Sequence, residues 1–248
     1  MNTLTQLALT TPIEPDFSST AETSRPTPKL IMSTLIQDTQ TILFIGDSIT
    51  DCGRRDAQHQ PLGCGYVSYF NDMLLTRDSE KKITVINHGI GGNTVEDLRS
   101  RWCDDVLAFR PDWLVVKIGI NDINQYLCKQ GPIPLPPETY EEIYDQLLAL
   151  TRRELPQCRL LLVDPFYGSN DTTPGSYRAR VVALFPQYLA VVARLAGRHG
   201  ARHLKLHDIF MSKLKVQHPE VYFPSEPVHP QSTGHFLIAE SVYAALAK

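Results

Sequence analysis

Thr41-Ile42-Leu43-Phe44-Ile45-Gly46-Asp47-Ser48-Ile49-Thr50-Asp51 decides the fold and points to the chemistry. The apolar residues before Gly46 form a run of strand length. A continuous rather than alternating apolar run suits a strand buried on both faces, as in a parallel sheet. The run stops at Gly46-Asp47-Ser48. Open α/β sheets build their sites just beyond the carboxyl ends of their strands. Ser48 therefore stands where such a fold would place a nucleophile. A serine hydroxyl is a weak nucleophile without a base, and the base needs an orienting acid. The rest of the chain must supply these groups, together with donors for an oxyanion.

Outward from this stretch, strand and helix alternate. The pattern predicts further strands at Ile83–Asn87, Trp113–Ile118, Leu160–Asp164 and Ala201–His207. It predicts helices at about Gly65–Leu75, Thr94–Ala108, Glu138–Glu154, Tyr177–His199 and Ser232–Ala247. Pro186 should kink or split the fourth of these. Gly200 suits the end of the same helix, and Thr94 with Asp97 suits the start of the second. Alternating β and α units imply an α/β fold, a three-layer sandwich with a five-stranded parallel sheet between helices. Two long loops, Ile123–Pro137 and Pro165–Ser176, leave the carboxyl ends of strands. Each is either the rim of a site or plain connection.

Residues 1–38 differ in kind. Thr, Ser and Pro dominate and apolar periodicity is absent, so they read as a disordered extension ahead of a domain spanning 39–248. The extension lacks the basic start and apolar core of a secretion signal. Met32 is a second plausible start. The 248 residues carry a net charge of -3 and no dense Lys/Arg cluster, which argues against nucleic acid as a partner. No apolar run approaches the roughly 20 residues of a membrane span. The five cysteines, Cys52, Cys64, Cys103, Cys128 and Cys158, are scattered and include no CxxC. Reduced thiols in a cytoplasmic protein are the expectation, with no zinc site. Cys52 is close enough in sequence to lie near Ser48, although a small space-filling role suits it better.

His229, in Glu226-Pro227-Val228-His229-Pro230, is the strongest candidate for the base. Its prolines restrict the loop, and Glu226 can curl back to the other ring nitrogen. His235 reads as structural. His199, His203 and His207 recur every four residues, but Gly200 breaks the helix a metal site would need, so no metal is expected. His88 either lines the pocket or is incidental. Oxyanion donors come from two stretches. The first is the turn Asn87-His88-Gly89-Ile90-Gly91-Gly92-Asn93-Thr94. The second is Gly119-Ile120-Asn121-Asp122, where Asn121 offers a side-chain amide. A dinucleotide-binding turn at Gly89-Ile90-Gly91-Gly92 lacks the third glycine. A phosphatase built on Asp47 lacks the second aspartate two residues on, where Ile49 stands.

These four blocks, in this order, resemble the SGNH (GDSL) hydrolase family, over residues 41–248. The resemblance implies a flavodoxin-like SGNH hydrolase fold. It implies Ser48 as nucleophile, His229 as base, and an oxyanion hole of Ser48 N–H, Gly92 N–H and Asn121. Where the family has Asp, this chain has Glu226, one methylene longer, and Glu226 is read as the acid. The strings Leu43–Arg54, Gly63–Val67 and Gly92–Leu98 are similar to bacterial acetylxylan esterases of the SGNH type. That likeness implies removal of acetyl groups from short xylan fragments, with no cofactor and often in a homo-oligomer. A small acylated carbohydrate is then the expected substrate, with no nucleic acid or membrane as partner. A thioesterase or lysophospholipase acting on longer acyl chains is the alternative enzyme. A non-catalytic carbohydrate-binding protein on the same scaffold is the alternative class.

Overall fold

A computed structural model describes residues 35–247. The expected disordered extension therefore falls, apart from residues 35–38, outside the described residues. The first described residues are already packed. Leu35 N–H donates to Leu246 O at 2.9 Å, and Ile36 is buried.

Five strands form one parallel sheet: β1 (Thr41–Gly46), β2 (Thr84–Gly89), β3 (Trp113–Lys117), β4 (Arg159–Val163) and β5 (Arg202–Leu204). Their order is β2-β1-β3-β4-β5, the flavodoxin-like arrangement. Side chains alternate across the sheet, as pleating requires. Leu43 and Ile45 of β1 enter one core with α3 (Val95–Trp102), α5 (Pro137–Glu154) and α6 (Tyr177–Arg198). Ile42 and Phe44 enter the other with α2 (Tyr66–Arg77), α7 (Leu206–Leu214) and α8 (Ser232–Leu246). Both faces are covered, which explains the unbroken apolar runs. The fold is a three-layer α/β/α sandwich.

Several local expectations need correction. α6 runs on through Pro186 without splitting. Pro186 lies on the exposed face, where a carbonyl freed from its helical partner can be solvated. The apolar residues of this 22-residue helix, among them Val181, Phe185, Tyr188 and Leu195, are buried under the sheet. The loop expected at Ile123–Pro137 is helical in its first part, as α4 (Ile120–Cys128). The last strand is only three residues long, and α7 follows directly. The second helix ends at Trp102 and continues as a π-helical turn, Cys103–Leu107. Thr94 caps α3 in a reciprocal box with Asp97. The segment Pro165–Ser176 is a loop without regular structure.

Candidate active site

β1 is flanked by β2 and β3, so the segments after these three strands meet at one edge. Ser48 begins a one-turn helix, α1 (Ser48–Asp51). Its N–H, as the first of that helix, has no intrahelical acceptor. Asp47 caps the turn, with Oδ1 accepting from Ile49 N–H at 3.0 Å. The far end is held by Asn87, whose amide donates to Thr50 O at 2.7 Å. Gly89 lets β2 approach: a Cβ there would sit 2.2 Å from Asp51 N. The turn carrying Ser48 is thus clamped at both ends.

Ser48 Oγ lies 2.8 Å from His229 Nε2, and His229 Nδ1 lies 2.6 Å from Glu226 Oε1. With Nδ1–H directed at the carboxylate, Nε2 is the unprotonated nitrogen that can accept the serine proton. Glu226 also accepts from the main chain of its own turn: Val228 N–H to Oε2 at 2.7 Å and His229 N–H to Oε1 at 2.8 Å. The extra methylene lets the carboxylate reach round to all three donors. The turn is tied to the loop after β4 by Gly168 N–H donating to Pro227 O at 2.7 Å. The His229 side chain is 59% exposed, so the serine opens to solvent on this side.

On the other side of Ser48 lies the turn after β2. Gly92 has φ +82°, and a Cβ there would meet nothing within 4 Å. Its N–H has no partner among the described residues. Asn121 Nδ2 donates one hydrogen to Asn93 O at 3.0 Å. That bond fixes which end of the amide is nitrogen and leaves its second hydrogen for a ligand. Ser48, Gly92, Asn121, His229 and Glu226, all singled out from sequence, therefore lie in segments that converge on this edge.

Residues 44–237 match the GDSL-like lipase/acylhydrolase family. The chain belongs to this family. As a GDSL-like protein it is a carboxylic ester hydrolase. It is 34% identical over 210 residues to an acetylxylan esterase of Geobacillus stearothermophilus, covering 82% of this chain and 91% of that enzyme. The crystal structure of an acetylxylan esterase from the same organism superposes with a TM-score of 0.76 at 33% identity, covering 86% of this chain and 96% of that one. LAE5, an alpha/beta hydrolase enzyme from the metagenome of Lake Arreo, Spain, gives a TM-score of 0.76 at 30% identity, over 86% and 97% of the two chains. Solved forms of the Geobacillus esterase include catalytic mutants in which a serine, an aspartate or a histidine is replaced by alanine. The aspartate stands three positions before the histidine.

The sequence blocks alone do not disclose what Lys117, Asp47, Asp122 and Arg101 do in this GDSL-like site. Lys117 and Asp47 are fully buried, with Nζ 3.3 Å from Oδ2. Burial pushes the lysine pKa down, and Asp47 works against that shift. Sealed in this pair, Asp47 is no free nucleophile. The signal was a lysine inside the apolar strand Trp113–Ile118. Asp122 joins the starts of two helices by accepting from Val95 N–H at 2.8 Å. Its Oδ2 has no partner among the described residues, and burial raises its pKa to about 7. Arg101 binds the Asn93 side chain (2.8 Å), His88 O (2.8 Å), Gly46 O (3.3 Å) and Asp105 (2.6 Å). It thereby braces the glycine turn against β1. Its spacing from Asp105, four residues along a helix, was the only cue.

Four of the other histidines, His88, His199, His203 and His207, make hydrogen bonds away from the Ser48 hydroxyl. His199 binds Asp145 and His203 binds Asp164, each at 2.6 Å, while His207 Nδ1 accepts from Tyr167 N–H at 3.4 Å. His88 bonds Asp105 O at 2.8 Å and packs edge-on to Phe109. Among the described residues no cluster of three or more His, Cys, Asp or Glu is placed to hold a metal ion.

Proposed function

We propose that the protein is a serine esterase that removes acetyl groups from carbohydrates such as xylo-oligosaccharides, through an acyl-enzyme intermediate. The observation that carries this reading is the continuous chain Ser48 Oγ to His229 Nε2 (2.8 Å) and His229 Nδ1 to Glu226 Oε1 (2.6 Å). Ser48 attacks the ester carbonyl as His229 takes its proton. Glu226 holds the imidazole in the accepting tautomer and stabilises the imidazolium. The tetrahedral oxyanion is held by Ser48 N–H, Gly92 N–H and the free hydrogen of the Asn121 amide. His229 returns the proton to the departing sugar hydroxyl. A water deprotonated by the same imidazole then attacks the acyl-serine; the ester bond to Ser48 Oγ breaks, the imidazolium returns its proton to that oxygen, and the acetyl group leaves as acetic acid. Every group these steps need is a side chain or main-chain amide of this chain.

Support for acetyl and for carbohydrate comes from the Geobacillus acetylxylan esterase, whose aspartate–histidine spacing matches that of Glu226 and His229. The exposed face of His229 leaves room for a bulky alcohol. The test is a panel of p-nitrophenyl esters from acetate to octanoate together with acetylated xylo-oligosaccharides. Acetate should be turned over fastest, and the sugars should be deacetylated. Rates that climb with acyl length would give the site to a thioesterase or lysophospholipase. Ser48→Ala should lower kcat by at least about 10⁴-fold and abolish labelling by a fluorophosphonate. Retained turnover would end the assignment of Ser48.

A further inference from the structure

We propose that Cys52 and Cys64 form a dithiol site that a peroxide oxidises to an intramolecular disulfide, and that this closure slows the esterase. All five cysteines are free, but these two differ from the rest. Their sulfurs lie 3.6 Å apart, and their main chains are already joined by Cys64 N–H donating to Cys52 O at 2.9 Å. The Cys64 thiol also points at Cys52 O, at 3.3 Å.

The two thiols are suited to unequal parts. Cys64 is exposed and lines a surface recess of about 410 Å³ with Gln58, Leu62 and Tyr69, so a small oxidant can reach it. Cys52 is half-buried, and His235 aims its sulfur. His235 Nδ1 accepts from Tyr66 N–H at 3.2 Å, which puts the ring proton on Nε2, 3.5 Å from Cys52 Sγ. The same tautomer leaves Nε2 no lone pair for a metal, so the three side chains are not a metal site. Burial lifts the Cys52 thiol to about 12, which keeps it protonated.

The chemistry balances in two steps. The Cys64 sulfur attacks hydrogen peroxide and breaks the O–O bond, giving a sulfenic acid and one water. The Cys52 sulfur then attacks the Cys64 sulfur, the S–O bond breaks, and the departing hydroxyl leaves with the Cys52 proton as a second water. Two thiols are oxidised and one peroxide is reduced. Closure must shorten the sulfur separation to about 2.05 Å. Cys52 is the left-handed residue, φ +38°, that ends the nucleophile turn, and its N–H donates to Ser48 O at 2.9 Å. Drawing Cys52 toward Cys64 pulls on that carbonyl. A displacement of about 1 Å in a reacting group can cost about 10²-fold in rate.

The effect on rate rests on Ser48 being the nucleophile, whereas the cross-link does not, so the test reads both. The reduced full chain is treated with hydrogen peroxide, alkylated and digested with trypsin, which cuts at Arg54 and Arg55 between the two cysteines. Peptide 30–54 should appear joined to peptide 56–77, two hydrogens lighter than their sum. kcat/KM should fall at least about tenfold and recover with dithiothreitol. Cys64→Ser should keep the untreated rate and lose both responses. Absence of the joined peptide would overturn the site. A joined peptide with unchanged kcat/KM, or an equal loss of rate in Cys64→Ser, would overturn the slowing.

Discussion

Glu226 shows how much one side chain can settle locally. Its two carboxylate oxygens accept from two main-chain amides of its own turn and from the imidazole beside them. Glu226→Gln keeps the shape but replaces one acceptor by a donor. The imidazole then loses its proton acceptor and favours the wrong tautomer. kcat should fall by about 10²- to 10⁴-fold with KM nearly unchanged. Steady-state kinetics on an acetyl ester reads this directly, and an unaffected kcat would move the acid role to another group. The spacing of Glu226 and His229 was legible because acid and base stand three positions apart between prolines. Asn121 was legible as an amide at a strand end. Its orientation was not, because it depends on Asn93 O, 28 residues away.

At the scale of elements, Asp122 couples α3 to α4 from a fully buried position. Its pKa, raised from 3.8 to about 7 by burial, means that the folded protein keeps a proton the unfolded chain has released across that range. Stability is therefore fullest below the ordinary carboxylate value and declines as pH rises through about 7, by about 1 kcal/mol per pH unit. Asp122→Asn retains the acceptor for Val95 N–H and removes the titration. Urea unfolding of both proteins at pH 5 and pH 8 should show the parent losing more stability than the variant. Equal losses would refute the buried proton. The strands were legible because an apolar run buried on both faces leaves few alternatives. α4 was not, since its stripe of Ile120, Ile123 and Leu127 lies within a polar stretch that opens on a turn-like Gly-Ile-Asn-Asp. The strand expected at Ala201–His207 overruns the first two residues of α7, because Leu204 and Leu206 carry apolar character across the boundary. Pro186 misled because the cost of a proline depends on which face of the helix it occupies.

For the whole molecule, the Lys117–Asp47 pair sits where the direction of chain winding reverses, between β1 and β3. Removing one charge strands the other in the core. Lys117→Met should cost about 3–5 kcal/mol of unfolding free energy, and adding Asp47→Asn should recover part of it. Chemical denaturation of the two single variants and the double variant measures the coupling, and simple additivity would show that the pair does not act as a unit. The carboxyl edge of the sheet brings Ser48 together with residues as distant as Glu226 and His229. Within that frame, the turn from Glu226 to His229 is different in kind. Acid, base and tautomer are set inside four consecutive residues, and one hydrogen bond from Gly168 docks them. The turn is in effect a cassette. Loops around the serine can be exchanged to admit other alcohols without redesigning the proton relay, provided that the docking bond to Pro227 is kept.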